Sequence, residues 1–273
     1  MGSLWHDAPG YRSLAVLALC IGASACSPYL HSPPGRMVPL EAAKALPKGD
    51  FAIQGALAGG AAVWGPSVGA GTVQGRYGFG RGLEGALEAG FAVIGARDTD
   101  WNTSASHALY SARAGFKYEA ASWFAVQAGF GGGGSAAGGY ISPDAGIIFS
   151  YQGKSVVPFV AGGFYSSHPI NGKPIVFRDS DSTEVLFPDT TLGAYGNFGI
   201  RIPITGGHPD SPRSAIIFAY RFVFASHHEY IASSVTQERW QDFYHLGVVS
   251  FDLVMRKDRG KSRRDKGRVW KMH

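Results

Sequence analysis

The sequence predicts an all-β chain: an antiparallel, up-and-down barrel of about ten strands over residues 51–255. Three observations carry this. Bulky apolar and small or polar residues alternate with a period of two, which places each set on one face of an extended strand. Turn residues punctuate these alternating segments at intervals close to the length of one strand. Glycine reaches 39 of 273 residues, about twice the usage implied by an average of roughly 7%. Charged residues make up 16% and aromatics 13%, a balance that argues against both disorder and a helical enzyme.

Ten segments follow in order: 51–63, 68–79, 82–94, 105–118, 123–131, 137–151, 156–166, 191–204, 214–225 and 240–255. The third is the clearest. Leu83, Gly85, Leu87, Ala89, Phe91 and Val93 face one way, and Glu84, Ala86, Glu88, Gly90 and Ala92 face the other. In the fourth, Ala108, Tyr110, Ala112, Ala114, Phe116 and Tyr118 oppose His107, Ser111, Arg113 and Lys117. Pro143, Pro158 and Pro203 fall inside three segments. Each lacks a backbone donor and so requires a bulge, an edge or a strand end.

The connections between these segments alternate in character. The even-numbered ones include Gly80-Arg81, residues 119–122 and residues 152–155, all compatible with tight turns. The odd-numbered ones include the longest, 95–104, 167–190 and 226–239. This arrangement resembles that of outer-membrane β-barrels, in which short turns face the periplasm and longer loops face outward. The resemblance implies a transmembrane barrel, with Tyr77, Phe79, Tyr118, Trp123, Phe124 and Tyr151 in a girdle at the turn end. Trp64, Trp101, Phe164, Tyr165 and Trp240 would form the girdle at the loop end. Segment lengths agree, since they exceed the five or six residues usual in soluble sheets.

Ahead of the barrel, residues 14–22 are a short apolar run leading through Ala23, Ser24 and Ala25 to Cys26. The run is too brief to span a bilayer. It resembles the lipobox of bacterial lipoprotein signal peptides, which implies cleavage before Cys26 and lipidation of that residue. The alternative is an ordinary secretory signal, 1–25, with Cys26 a free thiol. Cys20 lies inside the apolar run and leaves with it, so a single mature chain has no disulfide. Residues 26–50 are a Pro-rich linker in which Pro39 and Pro47 bracket two possible helical turns. Residues 256–273 carry nine Lys and Arg against Asp258 and Asp265, a net +7, so the whole-chain +5 leaves −2 for the remainder. This basic tail suits a periplasmic extension associating with anionic lipid headgroups or cell-wall polymer. With an even strand count and an anchor at Cys26, both termini lie on the periplasmic side.

Motifs for catalysis, metals and cofactors are weak. Gly129-Phe130-Gly131 through Gly134 has the letters of a dinucleotide fingerprint, but no helix follows, so it reads as a glycine-rich loop between strands. Asp98, Asp100 and Asn102 begin like a calcium loop, yet Thr103 and Leu109 occupy the positions that need Gly and Glu. Asp179, Asp181, Glu184 and Asp189 are expected to be solvated loop acids. His227, His228 and Glu229 alternate across an extended segment and make no metal site. Ser166, Ser167 and His168, or Ser106 and His107, place hydroxyls beside imidazoles without matching any acyl-hydrolase motif. No catalytic residue, metal, cofactor or nucleic-acid partner is expected.

The remaining polar set lies on the strand faces opposite the apolar ones. Arg76, Glu84, Glu88, Arg113, Lys117, Asn197, Arg201 and Arg221 would meet in the lumen as a paired charge network. The expected function is therefore a lipid-anchored outer-membrane barrel with a structural, surface-interaction or narrow-pore role, and a filled lumen over an open one. One alternative is a soluble periplasmic lipoprotein barrel binding an apolar ligand, which would turn its apolar faces inward. A second is a barrel-wall acyl hydrolase acting on envelope lipids.

Overall fold

A computed structural model describes residues 41–62, 67–94, 107–135, 138–153, 155–173, 175–178, 183–186, 189–204, 214–230 and 237–255. Ten strands close into one antiparallel barrel: β1 (Phe51–Ala62), β2 (Ser67–Gly80), β3 (Leu83–Ile94), β4 (His107–Ala121), β5 (Phe124–Ser135), β6 (Gly138–Ser150), β7 (Val157–Ile170), β10 (Thr191–Pro203), β11 (Ser214–Tyr230) and β12 (Gln237–Met255). Each pairs with its chain neighbours, and β1 closes the ring on β12 from Phe51↔Met255 to Ala62↔Tyr244. Between β7 and β10 the chain adds a separate two-stranded hairpin, β8 (Ile175–Arg178) and β9 (Thr183–Leu186). The sequence reading placed this hairpin inside its longest loop. Four-residue strands are too short for a period of two to register.

The boundaries slip most at the loop end. Strand β11 runs to Tyr230 where 225 was expected, and β12 starts at Gln237 where 240 was expected. His227 to Tyr230 pair only with residues of β12, so this hairpin rises past the rim that β10 and β1 reach. The polar residues there end the alternation but do not end the pairing. Gly129 to Gly134 likewise lie within β5 and pair with both β4 and β6. The glycine-rich loop expected there is a strand.

The prolines take the tolerated places. Pro203 ends β10, and Pro158 is the second residue of β7. Opposite Pro143 the β6–β7 ladder loses its pairing between Ile141 and Asp144. The tight turn from β2 to β3 has positive φ at Gly80, Arg81 and Gly82, 91°, 54° and 78°. Only glycine enters this region without strain, so the turn is built around its two glycines.

The barrel is apolar outside. Leu57, Leu87, Tyr110, Phe116 and Phe164 are each more than 60% exposed, and among the barrel-strand residues whose side chains are described none that is exposed carries a charge. Twelve residues of β3 at about 3.3 Å each, tilted by about 40°, rise about 30 Å, the thickness of a bilayer's hydrocarbon core. Tyr77, Phe79, Tyr118, Trp123 and Tyr151 are exposed at the turn end, where Trp123 stacks on Phe149 at 6.0 Å. Trp64 and Trp101 lie outside the described residues, as does the side chain of Trp240. Tyr165 departs from the expected loop-end girdle. It points inward, 4% exposed, because it neighbours the outward-facing Phe164 on one strand.

Candidate functional site

The chemistry of this barrel lies in its lumen, in tiers from the turn end upward. Inward positions of β1, β2, β3, β4, β10 and β12 supply the first. Asp252 accepts from Arg76 Nη2 at 2.6 Å and from Arg201 Nη2 at 3.0 Å. Glu84 sits between Arg76 at 3.4 Å and Lys117 at 3.0 Å. Gln74 donates to Glu88 at 3.4 Å, and Gln54 donates to Ser250 at 3.0 Å. Both signs are present and buried together, as a lumen with little water requires.

In the second tier Arg113 grips Asp144 with two bonds, Nε to Oδ2 at 2.6 Å and Nη2 to Oδ1 at 2.7 Å. The guanidinium lies flat on the wall because its neighbours are glycines. A Cβ on Gly115 or Gly129 would stand 2.4 Å or 2.2 Å from its nitrogens. Higher still, Arg221 is fully buried, donates to Asn197 Oδ1 at 3.2 Å and lies over the Tyr195 ring at 4.9 Å. The Tyr195 hydroxyl accepts from Gln127 at 3.1 Å. A buried apolar cluster runs beside and above the charged tiers, from Phe159 and Ile217, in register with Ser150 and Arg201, to Leu109, Tyr165, Val223, Tyr244, Leu246 and Val248. The sequence reading assigned bulky apolar residues to the lipid face. Here one part of the inner face carries them as well.

All the expected lumen residues, Arg76, Glu84, Glu88, Arg113, Lys117, Asn197, Arg201 and Arg221, lie on the inward face. The reading missed the two acids that partner three of the arginines, Asp144 and Asp252, and also Gln74, Gln127 and Tyr195. Their signal was parity: Asp252 keeps step with Leu246, Val248 and Ser250, all buried.

The turn-end mouth is covered from within the chain. Two helical turns between Pro39 and Pro47 were expected, and residues 41–47 form none. They cross the opening as irregular open chain that bends at Ala43 and Lys44, with Glu41, Ala43 and Ala45 buried and the residues between them less so. The wall supplies the bonds that a helix would have made for itself. Ala43 N donates to Ser150 Oγ at 3.0 Å, Ala45 N to Glu119 Oε2 at 2.7 Å and Leu46 N to Glu84 Oε2 at 2.8 Å. Glu41 joins the first tier through Gln74 at 2.9 Å and Lys117 at 3.4 Å.

On the outer wall, Ser166 Oγ lies 3.1 Å from His168 Nε2, and His168 Nδ1 lies 3.3 Å from Thr190 Oγ1. A neutral hydroxyl thus holds the imidazole where a triad would place a carboxylate. Asp189 is next in the chain, and its Oδ1 accepts from Thr190 N at 2.6 Å. Among the described residues no cluster of His, Cys, Asp and Glu could hold a metal ion. Cys26, Asp98, Asp100, Asn102, Ser106, Asp179, Asp181 and the tail 256–273 lie outside the described residues, as do the side chains of His107, Glu184, His227, His228 and Glu229.

No protein-family model matches the sequence, and no curated protein matches it. Solved structures similar in barrel architecture include Neisserial surface protein A, at 11% identity and TM-score 0.38 over 75% of this chain and 95% of that one. The translocator domain of autotransporter NalP from Neisseria meningitidis has 12% identity and TM-score 0.48, over 75% and 87%. The outer-membrane protein OprG from Pseudomonas aeruginosa has 10% identity and TM-score 0.36, over 80% and 100%.

Proposed function

We propose that this chain is an integral outer-membrane β-barrel, lipid-anchored at Cys26, with both termini periplasmic and a structural or surface-interaction role that does not run through an open lumen. The carrying observation is the orientation of its faces: among the described side chains of the barrel strands, an apolar wall with no exposed charge outside and paired charges inside. A soluble barrel binding an apolar ligand requires the reverse. Against conduction stand the strap of residues 41–47 at one end and the apolar cluster beside and above the charged tiers. The tail 256–273 is positioned, in this reading, to meet anionic headgroups or cell-wall polymer.

The test is extraction of washed membranes. With Cys26→Ala the protein is expected to stay in the pellet through carbonate and high salt and to keep a heat-modifiable gel mobility. Release into the supernatant would overturn integral insertion and leave the tethered soluble barrel.

The Ser166–His168 contact favours one further reading, acyl-ester hydrolysis at the membrane surface. Thr190 offers the imidazolium no negative charge, and one is worth several orders of magnitude in a serine triad. A serine-directed acylating probe is therefore expected to leave the protein unlabelled. Labelling that Ser166→Ala abolishes would make this barrel an enzyme.

A further inference from the structure

The strap is held in an unusual way for a segment that closes a barrel. Its partners on the wall read its main chain. Three of its N–H groups go to Ser150, Glu119 and Glu84, and Lys117 Nζ donates back to the carbonyls of Ala42 and Lys44 at 3.3 Å and 3.4 Å. Gly78 gives its backbone room, since a Cβ there would stand 2.2 Å from the Pro47 carbonyl oxygen and 2.5 Å from that of Leu46. The side chains it buries are one acid and two alanines, Glu41, Ala43 and Ala45, at every second position.

Most of the wall's groups are also furnished without the strap. Glu84 keeps Arg76 and Lys117, Gln74 keeps Glu88, and Ser150 keeps Gln152 Nε2 at 2.9 Å, while the half-buried Glu119 gives up its bond to Ala45 N. The strap joins β1 through a turn in which Asp50 N donates to Pro47 O at 3.0 Å and Gly49 has φ 85°. Gly49 N to Gly78 O at 2.8 Å and Gly78 N to Asp50 O at 3.0 Å tie that turn to β2, so a strap that leaves the mouth stays held at its C-terminal end.

We propose that the turn-end mouth is a binding site for an open-chain peptide with an acidic residue followed by small residues at alternate positions, and that the chain fills it reversibly with its own residues 41–47. Backbone recognition with alanine-sized pockets ties occupancy to an open, non-helical backbone and small side chains. A site most of whose groups keep other partners when empty tolerates exchange of its occupant. The strap is then a ligand in cis, displaceable by a competing segment of the same chemistry. The inference does not depend on which membrane holds the barrel.

The test uses the full chain, refolded in detergent micelles, with Cys20 and Cys26 changed to Ser and Ala125→Cys as the sole thiol. Ala125 is 0% exposed and packs in one buried cluster with Ala43 of the strap, to which it gives no hydrogen bond. Labelling by a bulky maleimide is expected to be slow in this parent and at least ten-fold faster after Ala43→Trp, which alters no wall residue. Glu41→Lys, which adds little bulk and faces Lys117, is the second variant and is expected to act in the same direction. Heat-modifiable mobility reports that each barrel is folded. A synthetic peptide of residues 40–49 should slow labelling of the variants back toward the parent rate, and the same peptide carrying Ala43→Trp should not. Unchanged labelling in both folded variants would overturn the proposal. So would fast labelling that the peptide fails to slow, because the mouth would then be covered without being a peptide site.

Discussion

Replacing Asp252 with alanine is expected to lower the unfolding free energy by about 3–5 kcal/mol, the usual result of stranding buried charge. Asp252 is 2% exposed and takes a hydrogen bond from each of two arginines on different strands, Arg76 on β2 and Arg201 on β10. Removing it leaves two guanidiniums in one low-dielectric tier, with Arg76 still paired to Glu84 at 3.4 Å. Asp252→Asn keeps the shape and a hydrogen-bond acceptor but loses the charge, so it should fall between alanine and the parent. Pairing Asp252→Ala with Arg201→Met should recover part of the loss, because residues in one network do not add. Urea titration of the refolded barrel, followed by tryptophan fluorescence, measures all three. A loss under 0.5 kcal/mol, the range of an ordinary surface change, would show that the tier does not hold the strands together.

Asp252 also shows where sequence reasoning ran short. Strand existence was legible because an apolar outer face and a polar inner one impose the same two-residue alternation on most of the strands. Leu83 to Val93 displays it without interruption. Arg113, Lys117 and Arg201 were legible as lumen residues because a charge opposite an apolar face has few other places to go. Their pairing was not. Arg113 and Asp144 are 31 residues apart in the chain and meet across β5, through which glycines let the arginine lie flat. Nothing local records that contact. The glycines themselves misled, since a run from Gly129 to Gly134 carries no side-chain periodicity and reads as a loop, while the lumen needs a thin wall there. The strap misled for a related reason. Alanine-rich residues between two prolines have high helix propensity, but Glu84, Glu119 and Ser150 compete for the same N–H groups. Tertiary partners won over intrinsic preference.

The outer wall gives the second large effect. Leu87→Arg is expected to destabilise the barrel by about 2–4 kcal/mol in lipid, while Leu83→Arg, two positions nearer the turn end on the same face of β3, should lose only about 0–1 kcal/mol. The two leucines share a strand, a face and a residue type, and they differ in depth. Leu87 is 70% exposed and lies four residues above the start of β3, whereas Leu83 is 37% exposed and is its first residue. In the proposed insertion the hydrocarbon region begins between them, on a wall where no described strand residue that is exposed carries a charge. A cation near the middle must be desolvated or must draw water and headgroups down to it, and near the rim it reaches the interface by extending its own stem. Refolding both variants into lipid vesicles and comparing their unfolding curves reads this gradient directly. A barrel surrounded by water would treat both arginines as ordinary surface residues, each within about 0.5 kcal/mol of the parent. A flat profile would therefore defeat the membrane assignment, and a steep one would locate the bilayer midplane near the level of Leu87.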